Sequence, residues 1–307
     1  MSTKISIIGA AGTLGSCTAY RLATQGLADE LVMIDVDRNR LKSHMWDIQT
    51  AIADLHDVDI YEGGMDDIAG SDIVINNAGA PWRVVTSRVE KLQENLPIIK
   101  ECAEKITEHC PEAVVITSTN PVDPLNLAFH LFTGLDRKRL LGYTLNDTTR
   151  FKWIAAKALG VQPTRTKGMV IGEHGDSAVL LFSSLTIDGQ AVAIDDAVKS
   201  RIQAEHENTL KNFIALGTGW TSGWTSSVGL GAMVAAIIGK SDAVLPCSLL
   251  LKGEYGADGI SMSVPVRLAR NGVTEIIDIN LQPDEKDALR ESIEYLQGVK
   301  KDMEVYL

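Results

Sequence analysis

The stretch "ISIIGAAGTLGSCTAYRLA", residues 5–23, does more than any other to restrict what this chain can fold into. A short run rich in isoleucine leads into Gly9, Gly12 and Gly15, and a segment of helical composition follows at once. Glycines at that spacing permit a tight turn and close backbone approach, and the N–H groups at the mouth of the helix face an anion such as a pyrophosphate. The glycines alone would serve any tight strand-to-helix turn. The reading narrows with "ELVMIDVD", a second hydrophobic run that reaches Asp35 twenty residues after Gly15. A carboxylate there accepts hydrogen bonds from an adenosine ribose and repels a 2'-phosphate, so NAD is expected rather than NADP. Gly9, Gly12, Thr13, Leu14, Gly15 and Asp35 are the candidate cofactor-binding residues of this segment, and a part for Asp37 stays open.

The same rhythm continues. "DVDIYEG", "DIVINNAG" and "AVVITSTNP" are further runs rich in Val and Ile, with stretches of helical composition at 13–27, 38–55 and 87–109. Strand alternating with helix is the pattern of an α/β fold with a doubly wound parallel sheet. After about Tyr143 the pattern changes to a helix-like run from Asn146 to Leu159, strands broken by turns, long helical stretches near 195–216 and 224–239, and an amphipathic helix from about Pro283. The expectation is a Rossmann-type NAD-binding domain over 1–143 and an α+β substrate-binding and catalytic domain over 144–307, closely packed with a ligand crevice between them. A chain of 307 residues, 45% of them hydrophobic, can bury cores of that size.

Charge and cysteine content exclude other classes. A net charge of -11 without a basic block would repel nucleic acid and anionic membranes. The four cysteines show no CxxC pairing and no zinc-site spacing, so no metal is expected. The apolar run at the N-terminus is too short for a membrane span or signal segment, which makes the cytoplasm the expected compartment.

In "VIGEHGDS", His174 lies between two glycines on a turn leaving an apolar strand. His44, His56, His109, His130 and His206 read as structural. Twenty-seven residues before His174, "LNDTTRF" sets Asp147 and Arg150 one helical turn apart, so both can project from one face. Asp147 could hold one imidazole nitrogen and leave the other to exchange a proton, while Arg150 could grip a carboxylate with two parallel N–H bonds. The spacing taken alone suits a surface ion pair better.

These residues resemble the lactate/malate dehydrogenase family of NAD-dependent L-2-hydroxy acid dehydrogenases. The likeness runs through "IIGAAGTLG", "LVMID", "NNAGAP", "SR" at 87–88, "TSTNPVD", "DTTRF", "GEHGDS", "EYGADG", "SVPVRL" and "NGV". The resemblance implies that His174 accepts the substrate hydroxyl proton, that Asp147 orients it, and that Arg150 clamps the substrate carboxylate. It also implies that Asn120 meets the substrate oxygen and the nicotinamide side, and that Arg88 polarises the carbonyl from a closing loop. Ala78, Gly79, Thr119 and Asn120 join the cofactor-binding set. The implied partner is a small 2-hydroxy or 2-oxo acid, and the implied assembly is a homodimer or homotetramer.

One loop departs from the family pattern. Malate enzymes commonly place Arg directly after "GAP" and lactate enzymes place Gln at the equivalent site, but here Trp82 stands there with Arg83 next to it. Three readings follow. Arg83 meets a distal carboxylate and the substrate is malate, or Trp82 faces a bulkier apolar 2-hydroxy acid, or Trp82 packs on the protein and reads nothing. The repeat "GWTSGWTS" at 219–226 bears on the same pocket, where a small hydroxyl residue is expected; the position falls on Trp224 or Thr225 according to where a gap is placed, and Thr225 is the candidate. Trp220 and Trp224 would share a face there if helical, either as a pocket wall or as core packing. Two rivals are an NAD-dependent glycosidase, which would need a metal-binding Cys and His set, and a non-catalytic NAD-sensing protein, which would have no need to keep His174, Asp147, Arg150, Arg88 and Asn120 together.

Overall fold

The structure, a computed structural model, describes residues 2–81, 88–219 and 222–307, with the backbone alone for residues 88 and 89. Its first half is built from strands β1 (Lys4–Ile8), β2 (Glu30–Ile34), β3 (Asp59–Glu62), β4 (Ile73–Asn76), β5 (Val114–Thr117) and β6 (Leu140–Tyr143). Between them run helices α1 (Thr13–Thr24), α2 (Arg38–Ala51), α3 (Arg88–His109) and α4 (Val122–Thr133). The strands pair in parallel in the order β3-β2-β1-β4-β5-β6. That is the dinucleotide-binding order, with its switch point between β1 and β4.

Both faces of this sheet are covered, which explains why its strands lack polar alternation. Ile5 and Ile7 of β1 cluster with Leu22 of α1 and Leu41 of α2. Ile8, pointing the other way, clusters with Leu92, Leu96 and Ile99 of α3 and with Leu125 and Phe129 of α4.

The second half contains α5 (Leu145–Leu159), β7 (Thr166–Gly172), β8 (Ala178–Ile187), β9 (Gln190–Ala191), α6 (Asp196–Ala215), α7 (Gly223–Ile237), β10 (Leu245–Lys252), β11 (Asp258–Ala269), β12 (Gly272–Ile276) and α8 (Pro283–Glu304). Its strands are antiparallel and extend the first sheet instead of forming one of their own. β10 pairs with β6 through Cys247 opposite Tyr143 and Ser248 opposite Gly142. The close approach depends on Gly142, because a Cβ there would lie 2.6 Å from the Cβ of Ser248. Nothing local in the sequence marks this pairing, which joins strands about a hundred residues apart.

Helix α7 ties the halves together. It packs along α1 and is apolar on nearly every side, with Leu230, Met233, Val234 and Ile237 buried. At its start, a Cβ on Gly223 would stand 2.8 Å from the Thr13 Cγ2 at the head of α1. The start of α7 therefore rests on the head of α1, where the glycine-rich turn enters the helix. Among the described residues, no helix is long and apolar enough to cross a membrane, and no group of three or more His, Cys, Asp or Glu is placed to hold a metal ion.

Candidate active site

The turn from β1 to α1 has the tightness its glycines permit. Gly9 takes a left-handed φ of 79°, and a Cβ on Gly15 would fall 2.1 Å from the Gly9 carbonyl oxygen. That oxygen belongs to the backbone and cannot move aside, so any side chain at 15 would spread the turn. No side chain caps α1 and its first turn holds no acidic residue, which leaves the helix mouth suited to an anion. Asp35 closes the turn from the end of β2: Oδ2 accepts the Ala11 N–H at 2.9 Å and Oδ1 accepts the Asp37 N–H at 2.9 Å. The residues present fit a dinucleotide whose pyrophosphate meets the helix mouth and whose ribose meets Asp35.

The loops after β4 and β5 are stitched to each other beside this turn. The Thr119 hydroxyl donates to the Ala78 carbonyl at 2.6 Å, and a Cβ on Gly79 would press within 2.7 Å of the Thr119 methyl. Asn95 of α3, 1% exposed, joins the same two loops: Oδ1 accepts the Ala80 N–H at 2.7 Å and Nδ2 donates to the Asn120 carbonyl at 2.8 Å. The sequence reading passed over Asn95. Its signal was a polar residue on the buried stripe of Leu92, Leu96 and Ile99.

His174, Asp147 and Arg150, from two separate elements, form one cluster. His174 Nδ1 lies 2.5 Å from Asp147 Oδ2, and Arg150 Nη1 lies 3.4 Å from Asp147 Oδ1. All three side chains are largely buried. Burial is the largest single influence on the His174 pKa and pulls it down, but the carboxylates of Asp147 and Asp123 outweigh it and leave the ring above its ordinary value. Burial likewise pushes Asp147 up, and the charge and hydrogen bond of His174, helped by Arg150, bring it below the usual carboxylate range. Asp147 is thus the ionised acceptor and His174 Nδ1–H the donor, which turns Nε2 to other partners.

Arg150 reaches across to α7, where Nη2 donates to the hydroxyl of Ser222 at 3.0 Å. Ser222, not Thr225, is the residue of the "GWTSGWTS" repeat bonded to the arginine; Thr225 lies half-buried in the first turn of α7. Ser226 is drawn in as well, accepting from the Asn146 amide at 2.8 Å. His206 on α6 is buried, and burial holds its pKa below the ordinary value, which favours a neutral ring whose Nε2 lies 3.3 Å from the Asp147 carbonyl. Its role is structural, but the structure it supports is this site.

Arg88 is the first residue of α3. Trp82, Arg83 and Trp220 lie outside the described residues, while Trp224 is 64% exposed and so does not belong to the core. A cavity of about 770 Å³ opens elsewhere, between the end of α7 and the β11–β12 hairpin, but Arg267 and Arg270 on its wall are paired with Glu275 and Asp72. It offers no acid or base in the arrangement seen around His174.

Comparison with known proteins covers almost the whole chain. A family model described as lactate/malate dehydrogenase, NAD binding domain, matches residues 3–142, and one described as lactate/malate dehydrogenase, alpha/beta C-terminal domain, matches residues 144–305. The chain is 34% identical over 301 residues to a malate dehydrogenase of Halobacterium salinarum, covering 96% of this chain and 98% of that one. The crystal structure of Cryptosporidium parvum malate dehydrogenase is similar with a TM-score of 0.94, at 29% identity and with 99% and 100% of the two chains covered. A lactate dehydrogenase of the same organism, complexed with lactic acid and nicotinamide adenine dinucleotide, has a TM-score of 0.93 at 29% identity, covering 99% of this chain and 98% of that one.

Proposed function

This chain belongs to the lactate/malate dehydrogenase family, NAD-dependent oxidoreductases acting on 2-hydroxy acids, and on that premise we propose that it interconverts an L-2-hydroxy acid and its 2-oxo acid, with malate and oxaloacetate as the first pair to test. The observation that carries the reading is the cluster of His174, Asp147 and Arg150, a carboxylate-held imidazole beside a guanidinium with donors to spare. In oxidation, His174 Nε2 takes the hydroxyl proton while Asp147 holds the ring and stabilises the positive charge that develops on it. Arg150 grips the substrate carboxylate, aided by Ser222, and Arg88 and Asn120 polarise the substrate oxygen. Bound NAD supplies the hydride acceptor. The fixed network between Asn95, Ala80 and Asn120 supports a role in keeping the two loops in register as substrate enters.

Gly9, Gly12, Thr13, Leu14, Gly15, Asp35, Ala78, Gly79, Thr119 and Asn120 are proposed as the cofactor contacts. Asp35→Ser is expected to weaken NAD about tenfold, through the loss of one or two charge-assisted hydrogen bonds, and to narrow the preference for NAD over NADP. Fluorescence titration with both reduced cofactors measures this, and unchanged affinities would remove Asp35 from the site.

Substrate identity turns on the loop after "GAP". The malate reading is supported by Arg83 and by relatives named malate dehydrogenase. The reading for a bulkier apolar acid is favoured by Trp82, since a buried carboxylate without a cation is heavily penalised. A panel of oxaloacetate, pyruvate and phenylpyruvate with NADH separates them. If Trp82 reads the side chain, Trp82→Arg gains activity on oxaloacetate by about tenfold or more, and no change in preference would dismiss Trp82 as the reader. Failure on every acid of a broad panel would favour a sensing protein.

A division near residue 143 is proposed with this function, and the meeting of the two family matches there supports it. A homodimer or homotetramer is proposed as the assembly that the family resemblance implies. Four buried cysteines, none in a disulfide, suit the reducing cytoplasm.

A further inference from the structure

Asp147 is one carboxylate on His174, and the structure holds a second. Asp123, the acid of "NPVD", lies in the first turn of α4 and is 2% exposed. Its Oδ2 accepts the backbone N–H of His174 at 2.6 Å. Its Oδ1 is buried with the hydroxyl of Ser248 on β10 as its polar neighbour, and the two make no hydrogen bond of good geometry. Burying a carboxylate so incompletely paired is costly, and a role in packing alone would be met by an apolar side chain without that penalty. The N-terminal turn of α4 does favour a negative charge, which keeps the ionised form accessible.

We propose that Asp123 is a positioning residue for proton exchange at His174, fixing the backbone of the histidine through its N–H and placing a second carboxylate near the imidazole. The inference rests on the reading of His174 as the proton-exchanging group. Other groups bear on the same ring. Asp147 and Arg150 face it from α5, with Asp147 favouring and Arg150 opposing the charged form. His206 of α6 touches the Asp147 carbonyl, and Glu173, next to His174, is occupied by the N–H and hydroxyl of Ser177. Asp176 follows on the same turn, and from α8 Lys300 lines the small cavity beside Asp123 while Ser292 accepts the Glu173 N–H without carrying charge.

Burial pushes Asp123 up to about 6, with the Ser248 hydroxyl, the His174 N–H and the His174 charge pulling back. His174 is raised above its ordinary 6.5. The two groups therefore favour each other's charged form.

The test follows kcat/KM against pH in the full-length protein with its cofactor, using whichever acid pair of the panel is turned over. Asp123→Asn keeps an oxygen for the His174 N–H and removes the charge. Reduction of the oxo acid needs the charged ring and fades as pH rises; oxidation of the hydroxy acid needs the neutral ring and grows as pH rises. With the histidine pKa lowered, both limbs move to lower pH, by about one unit, and the His174 ring titration, read by NMR on the NAD-loaded protein, moves with them. Ser248→Ala leaves the carboxylate but removes the hydroxyl that favours its charge, so a smaller shift in the same direction is expected; it decides the matter if Asp123→Asn does not fold. Limbs and ring titration left in place, with activity unchanged or merely lower at every pH, would overturn the inference. His174→Gln separates the two readings: if a limb persists without the imidazole, the proton-exchange reading fails and this one with it, whereas loss of the limb there and no shift in Asp123→Asn overturns this inference alone.

Discussion

Replacing His174 with glutamine is expected to lower kcat/KM by about a thousandfold, ~4 kcal/mol in the transition state, the middle of what positioned acid–base groups contribute. The fall should be the same for oxidation and reduction, because one residue serves both directions and the overall equilibrium is not the protein's to change. Glutamine fills similar space and can still hydrogen-bond to Asp147, so the cluster need not collapse, but it cannot exchange a proton near neutral pH. What remains should come from Arg150 and the cofactor cradle acting through orientation. NADH affinity, measured by fluorescence, should stay unchanged, since the cradle is built on β1, α1 and β2. A loss of less than about tenfold would remove His174 from the proton path. The pH profile adds a second check. With Asp147 beside it the imidazole holds its proton above its ordinary pKa, so reduction in the parent protein is sustained below the raised value and falls above it. That fall should vanish in the variant.

The parts of this molecule that could be read from sequence are those whose physics is local. Gly9, Gly15 and Asp35 announced a turn because backbone sterics and ribose chemistry leave few alternatives at that spacing, and the turn is present, with the Gly9 φ and the Asp35 bonds to match. The cluster around His174 was half legible. Spacing places Asp147 beside Arg150 on α5, and the 3.4 Å contact agrees, but no periodicity reaches across the 27 residues to His174; the residue types allowed that pairing and the family resemblance turned it into an expectation. Three contributors were missed for the same reason. Ser222 meets Arg150 from 72 residues away, Asp123 meets the His174 backbone from 51, and the sheet is continued by β10 pairing with β6. Such contacts are fixed by the packing of α7 on α1 and by the crossing of chains at Gly142. Asn95 and Asp123 did leave a trace, since each is a polar residue on a helix face otherwise buried, and a buried polar group without a structural excuse is a candidate for function.

Arg150→Ala is the companion experiment, expected to reduce kcat/KM by about a thousandfold through loss of a charge-assisted, two-bond grip on the substrate carboxylate. The geometry argues that this grip, and not the ion pair with Asp147, is what the arginine is for. Asp147 gives its shorter contact, 2.5 Å, to His174, while Arg150 stands 3.4 Å away and spends one further donor on Ser222. A guanidinium carries five donors, so most of its capacity is left for a ligand. The pH profile separates clamp from electrostatics. Arg150 opposes the charging of His174; its removal should therefore raise the histidine pKa and carry both limbs to higher pH, opposite to the shift expected for Asp123→Asn. Arg150→Lys keeps the charge but not the planar fork, and is expected to leave the limbs in place while still raising KM by about tenfold or more. Retention of activity within about tenfold in Arg150→Ala, on every acid of the panel, would mean that the substrate carboxylate is held elsewhere, and the pocket would have to be rebuilt around a different cation.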